Sequence, residues 1–483
     1  MAQGILAKNT TYYTGALTFQ KILSFIYFWF ISNTLLPGQL GQYVFALSFT
    51  TLFSILVDLG LSPVLTREAS KDKEQANNFL KSVIALKIPL SLLALAAAWL
   101  IINLTGKPAE VKILIYLATF IMVLDSFSLS FWVIFRARHN LKYESIATIL
   151  VQAIIFTLGL IALKTTGQVK HLIMALMAAS IFNFLLSATL LKWKLKFSLR
   201  PKWDYKIVIY FLKIIPAFAL AGIFVKIYNT ADSVLLSYLD SDVAVGFFAV
   251  PAKVVYAFQQ IIPAAFAAVI FPAFSYYHAN SKKLLEQTFN KAFNYLLVIS
   301  LPLAAGAVIL AKPIIRQIWP NYLSVVPTFI IMSLAIPFIF LAFPTGYLLN
   351  ACDRQRKNTL NRGLITALAV ILNIILIPRY SFLGAGIAFL VTNIVLLFLD
   401  FIWVGRIIDL KTTGLVKNIA KPLGAAIVMA LTLLALKNHL NLFTLVPLGG
   451  LIYFAGLFLA GGLPIVEIKK VAKLMIKRDG RGN

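Results

Sequence analysis

The stretches FQKILSFIYFWFIS (residues 19–32) and FVKIYNTADSVLLS (224–237) fall on each other when the chain is shifted by 205 positions, with Lys21 on Lys226. Around them, Tyr12–Ser70 and Tyr210–Tyr277 read as copies. Gly41-Gln-Tyr43 falls on Gly246-Phe-Phe248, and Lys8 falls on Lys213. Each copy reads as a hydrophobic helix with a lysine near its middle, a short turn, Gly-x-aromatic, and a second hydrophobic helix. A lysine in hydrocarbon costs about 3 kcal/mol or more, so two at equivalent positions call for a reason. Repeated polar interruptions in corresponding halves point to the central site of a transporter.

Working outward, the 483 residues are 60% hydrophobic with a mean hydropathy of +0.88. Runs of about 20 apolar residues recur along the whole length, so the chain is an all-α polytopic membrane protein. The runs are continuous rather than alternating, which excludes a β-barrel. The net charge of +27 does not signal a nucleic-acid partner, because the basic residues sit in short loops between spans. Cys352 is the single cysteine, and His139, His171, His278 and His439 are far apart, so neither a disulfide nor a metal site is expected. The first apolar run has no small-residue cleavage site ahead of it and reads as a retained span.

Fourteen spans are expected, among them about 12–36, 40–62, 207–238, 243–275, 358–378 and 382–405. With the N-terminus inside, 31 of the 44 lysines and arginines fall in cytoplasmic segments and 8 in outside loops. That asymmetry puts both termini in the cytoplasm; the chain is further expected in the cytoplasmic membrane. The most basic inside loop, KWKLKFSLRPKWDYK (192–206), separates spans 6 and 7. The expected division is an N-lobe at 1–192, a cytoplasmic linker at 193–206, a C-lobe at 207–408, and spans 13 and 14 with a basic tail at 409–483.

Helical spacing places Lys226, Asn229, Thr230, Ser233 and Ser237 on one face of span 7. Thr14, Thr18, Lys21 and Ser32 make a thinner stripe on span 1, with Gln20 beside it. Gly246, Ala249, Lys253, Tyr256 and Gln260 line up on span 8. By a rise of about 1.5 Å per residue, Lys21, Lys226 and Lys253 lie too deep to snorkel to the outer surface. They are expected to face a wet, cationic cavity suited to an anion such as a diphosphate. Lys87 lies near the inner end of its span and is expected to snorkel; Asp58 and Asp400 read as interfacial. Asp125 and Asp232 lie deeper and are candidates for ion pairing or coupling. Prolines within spans would supply kinks for rocking motions.

At Leu40-Gly41-Gln-Tyr43-Val-Phe-Ala46, Val57-Asp58-Leu59-Gly60-Leu61 and Thr66-Arg67-Glu68 the chain resembles the polysaccharide-exporter branch of the MOP superfamily, the Wzx-type flippases of lipid-linked oligosaccharides. Lys8-Asn9-Thr10 and Asn229-Thr230-Ala231-Asp232 also fit that family. The resemblance implies a MATE-like fold of two six-helix lobes forming a V, with spans 1, 2, 7 and 8 around a central cavity. It further implies outward transfer, by alternating access and without covalent chemistry, of a polyprenyl-diphosphate-linked sugar. The partners implied are that lipid-linked saccharide, the bilayer, and glycosyltransferases and a polymerase coupled functionally to the transporter. No catalytic residue, metal or cofactor is expected beyond a coupling ion such as Na+ or H+. A lipid II flippase and a MATE-type multidrug/cation antiporter are the alternatives; a cationic cavity disfavours the second. A membrane glycosyltransferase or polymerase is disfavoured by the absence of long outside loops.

A topology reporter fused within 192–206 should read as cytoplasmic, and one fused at Asp240 as external. Finding both on one side would refute the span count and orientation.

Overall fold

The computed structural model describes residues 2–409 and 412–462, with the side chains of 2–11, 217–218, 261, 264–265, 267–268 and 412–418 left aside. Most of the basic C-terminal tail and the side chain of Lys8 therefore lie outside the described residues. Among the described residues the chain is helical and contains no strand. The helices are α1 (Ala2–Thr34), α2 (Pro37–Asp58), α3 (Leu61–Lys71), α4 (Ala76–Leu104), α5 (Ala109–Ala137), α6 (Lys142–Thr165), α7 (Val169–Leu195) and α8 (Tyr205–Leu239). They continue with α9 (Asp242–Asn280), α10 (Lys282–Ile309), α11 (Ala311–Ile318), α12 (Val326–Leu334), α13 (Ile336–Ala351), α14 (Gln355–Val404), α15 (Thr412–Leu436) and α16 (Leu442–Leu459). Lys8-Asn9-Thr10, expected ahead of the first span, are already helical within α1.

Among the described residues, thirteen helical segments are long and apolar enough to cross a membrane. One of them, α14, has 50 residues and at about 1.5 Å per residue could cross the hydrocarbon more than twice. It is two helices: Ser381 adopts φ 54° and ψ −138°, outside helical geometry, three residues after Pro378. A Cβ on Gly384 would lie 2.4 Å from the Leu376 carbonyl oxygen, so the chain folds back tightly at this point. The expected spans at 358–378 and 382–405 are the two arms of that hairpin, which brings the crossings to fourteen.

The chain forms two compact units, Met1–Ala257 with Thr359–Thr392, and Phe258–Asn358 with Asn393–Asn483. In the first unit α1 packs on α6, α6 on α7, and α7 on α5, while α2 lies against α4, α5 and α8. The α1–α6 contact is close because Gly159 leaves room for Tyr27, whose hydroxyl would sit 2.1 Å from a Cβ there. A core of Leu61, Leu65, Leu80, Val83, Phe131, Phe135 and Phe211 joins α3, α4, α5 and the start of α8. In the second unit α10 packs on α12, α13 and α15, and α15 on α16, around Met429, Leu433, Leu445 and Tyr453. Asp400, expected at an interface, is fully buried there and accepts from the Thr345 hydroxyl at 3.0 Å.

The repeated glycines read from the sequence mark one helix crossing. A Cβ on Gly41 would fall 1.6 Å from the Asp242 carbonyl oxygen, and one on Gly246 would fall 1.9 Å from that of Pro37. The starts of α2 and α9 thus touch backbone to backbone, each glycine making room for the other repeat. Their aromatic neighbours Tyr43 and Phe248 are buried beside the contact. Gly41→Ala and Gly246→Ala should each lower the thermal midpoint of the purified protein, by about 1–3 kcal/mol of overpacking. Gly15→Ala, with nothing within 4 Å of the added methyl, should leave it unchanged or slightly raised.

Candidate functional site

Three lysines were expected to face one cavity, and the first unit places them around α1 with different partners. Lys226, on α8, donates to the Ser54 hydroxyl of α2 at 2.9 Å and lines a cavity that Gln20 also lines. Lys253, on α9, reaches the Ser24 hydroxyl of α1 at 3.3 Å, with the Phe28 ring 5.2 Å away. Ser24 lies one turn along α1 from Lys21, on the same face. Lys21 itself is half-buried. Lys226 and Lys253 are each held by a serine hydroxyl rather than a carboxylate.

The fourth lysine corrects the expectation made for it. Lys87 does not snorkel: its side chain is 0% exposed and its Nζ lies 2.8 Å from Asp58 Oδ1. It also donates to the carbonyl and the hydroxyl of Ser126, at 2.8 and 2.9 Å. Asp58 is therefore no interfacial group. It additionally accepts a short hydrogen bond from Ser62 at the start of α3. Asp58 and Lys226 line the same two cavities, of about 640 and 320 Å³.

The larger cavity lies among α2, α5, α6 and α7, and Gln20 of α1 and Lys226 of α8 also line it. Its charges are mixed rather than cationic, since Asp58, Asp125, Glu144, Arg136 and Lys226 all line it. Arg136 clasps Glu144 through Nε, 2.8 Å from Oε2, and through Nη2, which also donates to Tyr13. Asp125 faces the cavity and accepts from the Ser180 hydroxyl at 2.8 Å. Trp132 donates from its indole nitrogen to Asn183 Oδ1 at 3.1 Å.

The polar stripe drawn on span 7 does not stay together. Asn229 is exposed, whereas Thr230 and Ser233 are buried, and the Thr230 hydroxyl returns to the Lys226 carbonyl. Ser237 is drawn to the end of α8, where Lys107 donates to its carbonyl and hydroxyl at 2.7 Å and to Asp242 at 2.9 Å. The span 8 stripe divides likewise. Gly246 is spent on the helix crossing and Tyr256 packs its ring on Phe389, while Gln260 is exposed. The reason is common to both: on a long membrane helix each turn meets a different neighbour, so one face need not open on one space.

Asp232 occupies a separate buried site in the first unit. Asn373 on α14 donates to it at 2.6 Å, and Asn373 Oδ1 has no hydrogen-bond partner. One turn before Asp232 on α8, Tyr228 shares a hydrogen bond at 3.0 Å with Thr392 on the second arm of α14. Sequence reasoning named Asp232 but missed Asn373 and Thr392, as it missed Arg136, Glu144, Ser180 and Asn183. Polar residues inside apolar runs were the available signal for Asn373, Thr392 and Asn183. Among the described residues no cluster of three metal-ligating side chains occurs.

The model of the family described as "Polysaccharide biosynthesis protein" matches residues 6–278, more than half of the chain. The chain belongs to the polysaccharide biosynthesis protein family. An uncharacterized membrane protein of Methanocaldococcus jannaschii is 25% identical over 92% of this chain and 94% of its own length. Among solved structures, the lipid II flippase MurJ in an inward closed conformation matches with a TM-score of 0.74. It is 18% identical, over 93% of this chain and 97% of that one. An inward-facing MATE-family multidrug resistance transporter matches with a TM-score of 0.66 and 16% identity, over 80% and 94%. A MOP superfamily transporter of Pyrococcus furiosus, described as having a binding pocket of reverse polarity that suggests a different function, matches at 0.57 and 15%, over 83% and 94%. The fold is therefore the MATE-like fold of these solved structures, and the chain is a multi-pass membrane protein of the polysaccharide biosynthesis protein family.

The Lys87–Asp58 contact generates a test of its own. Lys87→Met and Asp58→Asn should each destabilise the folded protein by about 3 kcal/mol or more, because each strands a buried partner. The double variant should be less destabilised than the sum of the two, read as thermal midpoints in lipid nanodiscs.

Proposed function

We propose that the protein flips a polyprenyl-diphosphate-linked saccharide across the cytoplasmic membrane by alternating access. The observation that carries this reading is the pair Lys226 and Lys253. They sit on successive helices of the second repeat, and each is held only loosely by a serine hydroxyl. Ammonium groups in a membrane span that are hydrogen-bonded to a hydroxyl rather than paired with a carboxylate favour an anion entering beside them. Lys21 lies on the repeat-related helix and contributes a third positive charge near the same stretch of α1. A diphosphate carries enough negative charge to meet two or three of these groups.

A coupling ion follows from Asp232. Burying a carboxylate opposite a neutral amide is costly unless a proton or a monovalent cation joins it. The orphaned Asn373 carbonyl oxygen is an acceptor suited to that same cation. Binding and release of Na+ or H+ there would bias α8 between two positions, and Lys226 rides on α8. The substrate would reach the transporter from glycosyltransferases on the cytoplasmic side and leave it to a polymerase outside, with both termini cytoplasmic. The lipid II flippase reading shares all of this chemistry and differs only in the saccharide.

Liposomes reconstituted with the protein should flip a fluorescent polyprenyl-diphosphate sugar and ignore cationic dyes. Lys226→Gln and Lys253→Gln should each lower the rate about tenfold or more at equal protein level, with Lys226→Arg retaining more activity than Lys226→Gln. Asp232→Asn should abolish the response to an imposed ion gradient. Export of cationic dyes without lipid flipping would replace this reading with a multidrug antiporter.

A further inference from the structure

The 640 Å³ cavity among α2, α5, α6 and α7 has a chemistry that the diphosphate alone does not use. Its wall exposes more apolar than polar surface, from residues such as Leu47, Ile121, Met122, Val151 and Leu176, beside many polar side chains. That composition and volume are those of a small-ligand site. Three of its charged groups are already engaged, because Arg136 closes on Glu144 and Asp58 on Lys87. Among the other polar groups lining the space are a carboxylate at Asp125, an amide at Asn183, a hydroxyl at Thr148 and the ammonium of Lys226.

Both Asp125 and Asn183 are held by a further residue. The Ser180 hydroxyl fixes Asp125 through Oδ1, and the Trp132 indole fixes Asn183 through its carbonyl oxygen. Asp125 keeps acceptor capacity, and Asn183 keeps its two amide donors. Thr148 donates to the Glu144 carbonyl at 2.8 Å and keeps the lone pairs of its oxygen. Groups locked this way need little reordering when a ligand arrives.

The charge pattern then decides among ligand classes. A simple anion would suit Lys226 and be repelled by Asp125. An organic cation would suit Asp125 and be repelled by Lys226. A sugar ring meets every group at once, since each hydroxyl donates and accepts, and an anion linked to the ring stays at the lysine. We propose that this cavity is a saccharide subsite, in which Asp125, Asn183 and Thr148 take the hydroxyls of the sugar next to the diphosphate. The proposal rests on the flippase reading given above and assigns the sugar end of that ligand to the space enclosed by α5, α6 and α7.

The test is equilibrium binding to the full-length protein in nanodiscs with two probes, bare polyprenyl diphosphate and the same lipid carrying one N-acetylhexosamine. The wild type should bind the glycosylated probe about tenfold more tightly than the bare one. Asp125→Asn and Asn183→Leu should lose most of that preference while still binding the bare lipid, which also verifies that they fold. Ser180→Ala should lose part of it. Lys226→Gln should weaken both probes and keep their ratio. A preference that survives in both Asp125→Asn and Asn183→Leu, or is absent from the wild type, overturns the subsite and leaves the diphosphate reading standing. Failure of the wild type to bind either probe overturns both.

Discussion

Lys87 and Asp58 meet at 2.8 Å inside the helix bundle, and five helices surround that contact. Asp58 ends α2 and Lys87 lies on α4; Ser126 of α5 receives two of the ammonium's hydrogen bonds, and Ser62 of α3 donates to the carboxylate. The fifth helix is α8, whose Lys226 lines the same cavities as Asp58. A buried pair of this kind adds little net stability over an apolar substitute, but losing one member is costly. Its effect is therefore to fix which arrangement forms. It also sets the charge that the cavity offers, because a carboxylate committed to Lys87 leaves Lys226 with a hydroxyl for company.

The internal repeat is used in two ways. At Gly41 and Gly246 it is symmetric: each glycine admits backbone from the other copy, so the two helix starts can meet only if both lack a side chain. At the lysines the symmetry ends. Lys226 turns to α2 and the mixed-charge cavity, whereas Lys253, with no lysine at the matching place on α2, reaches α1 instead. Packing tolerates a duplicated solution, since both copies solve the same steric problem. A binding site with one ligand has no such need, and its two walls differ.

That contrast explains how much was legible in the sequence. Length, apolar runs and turn residues revealed the crossings, including the hairpin at Ser381, because a membrane leaves a helix few choices. The glycine motif was visible because a backbone contact constrains both copies alike. The partner of Lys87 was not visible, since distance from a helix end says how deep a side chain lies and nothing about which helix faces it. The stripes on spans 7 and 8 failed for the same reason: Asn229, Ser233 and Ser237 share a face but not an environment. In lipid the difficulty is greater than in water, because apolar residues face hydrocarbon and protein core equally well, and periodicity no longer separates inside from outside.

Polarity, finally, bears on the readings that fold similarity leaves together. The same architecture appears among the solved structures as a lipid II flippase and as a multidrug transporter, so architecture alone selects neither. A ligand is chosen by the charges left over once the internal pairs are made. Here those pairs consume Asp58, Glu144, Lys87 and Arg136, and the remainder around the cavity is one carboxylate and one ammonium, with Asn183 and Thr148 between the extremes. A cation or an anion alone would satisfy half of that remainder at the expense of the other half. A molecule negative at one end and hydroxylated at the other satisfies all of it, and a sugar joined to a lipid through a diphosphate is such a molecule.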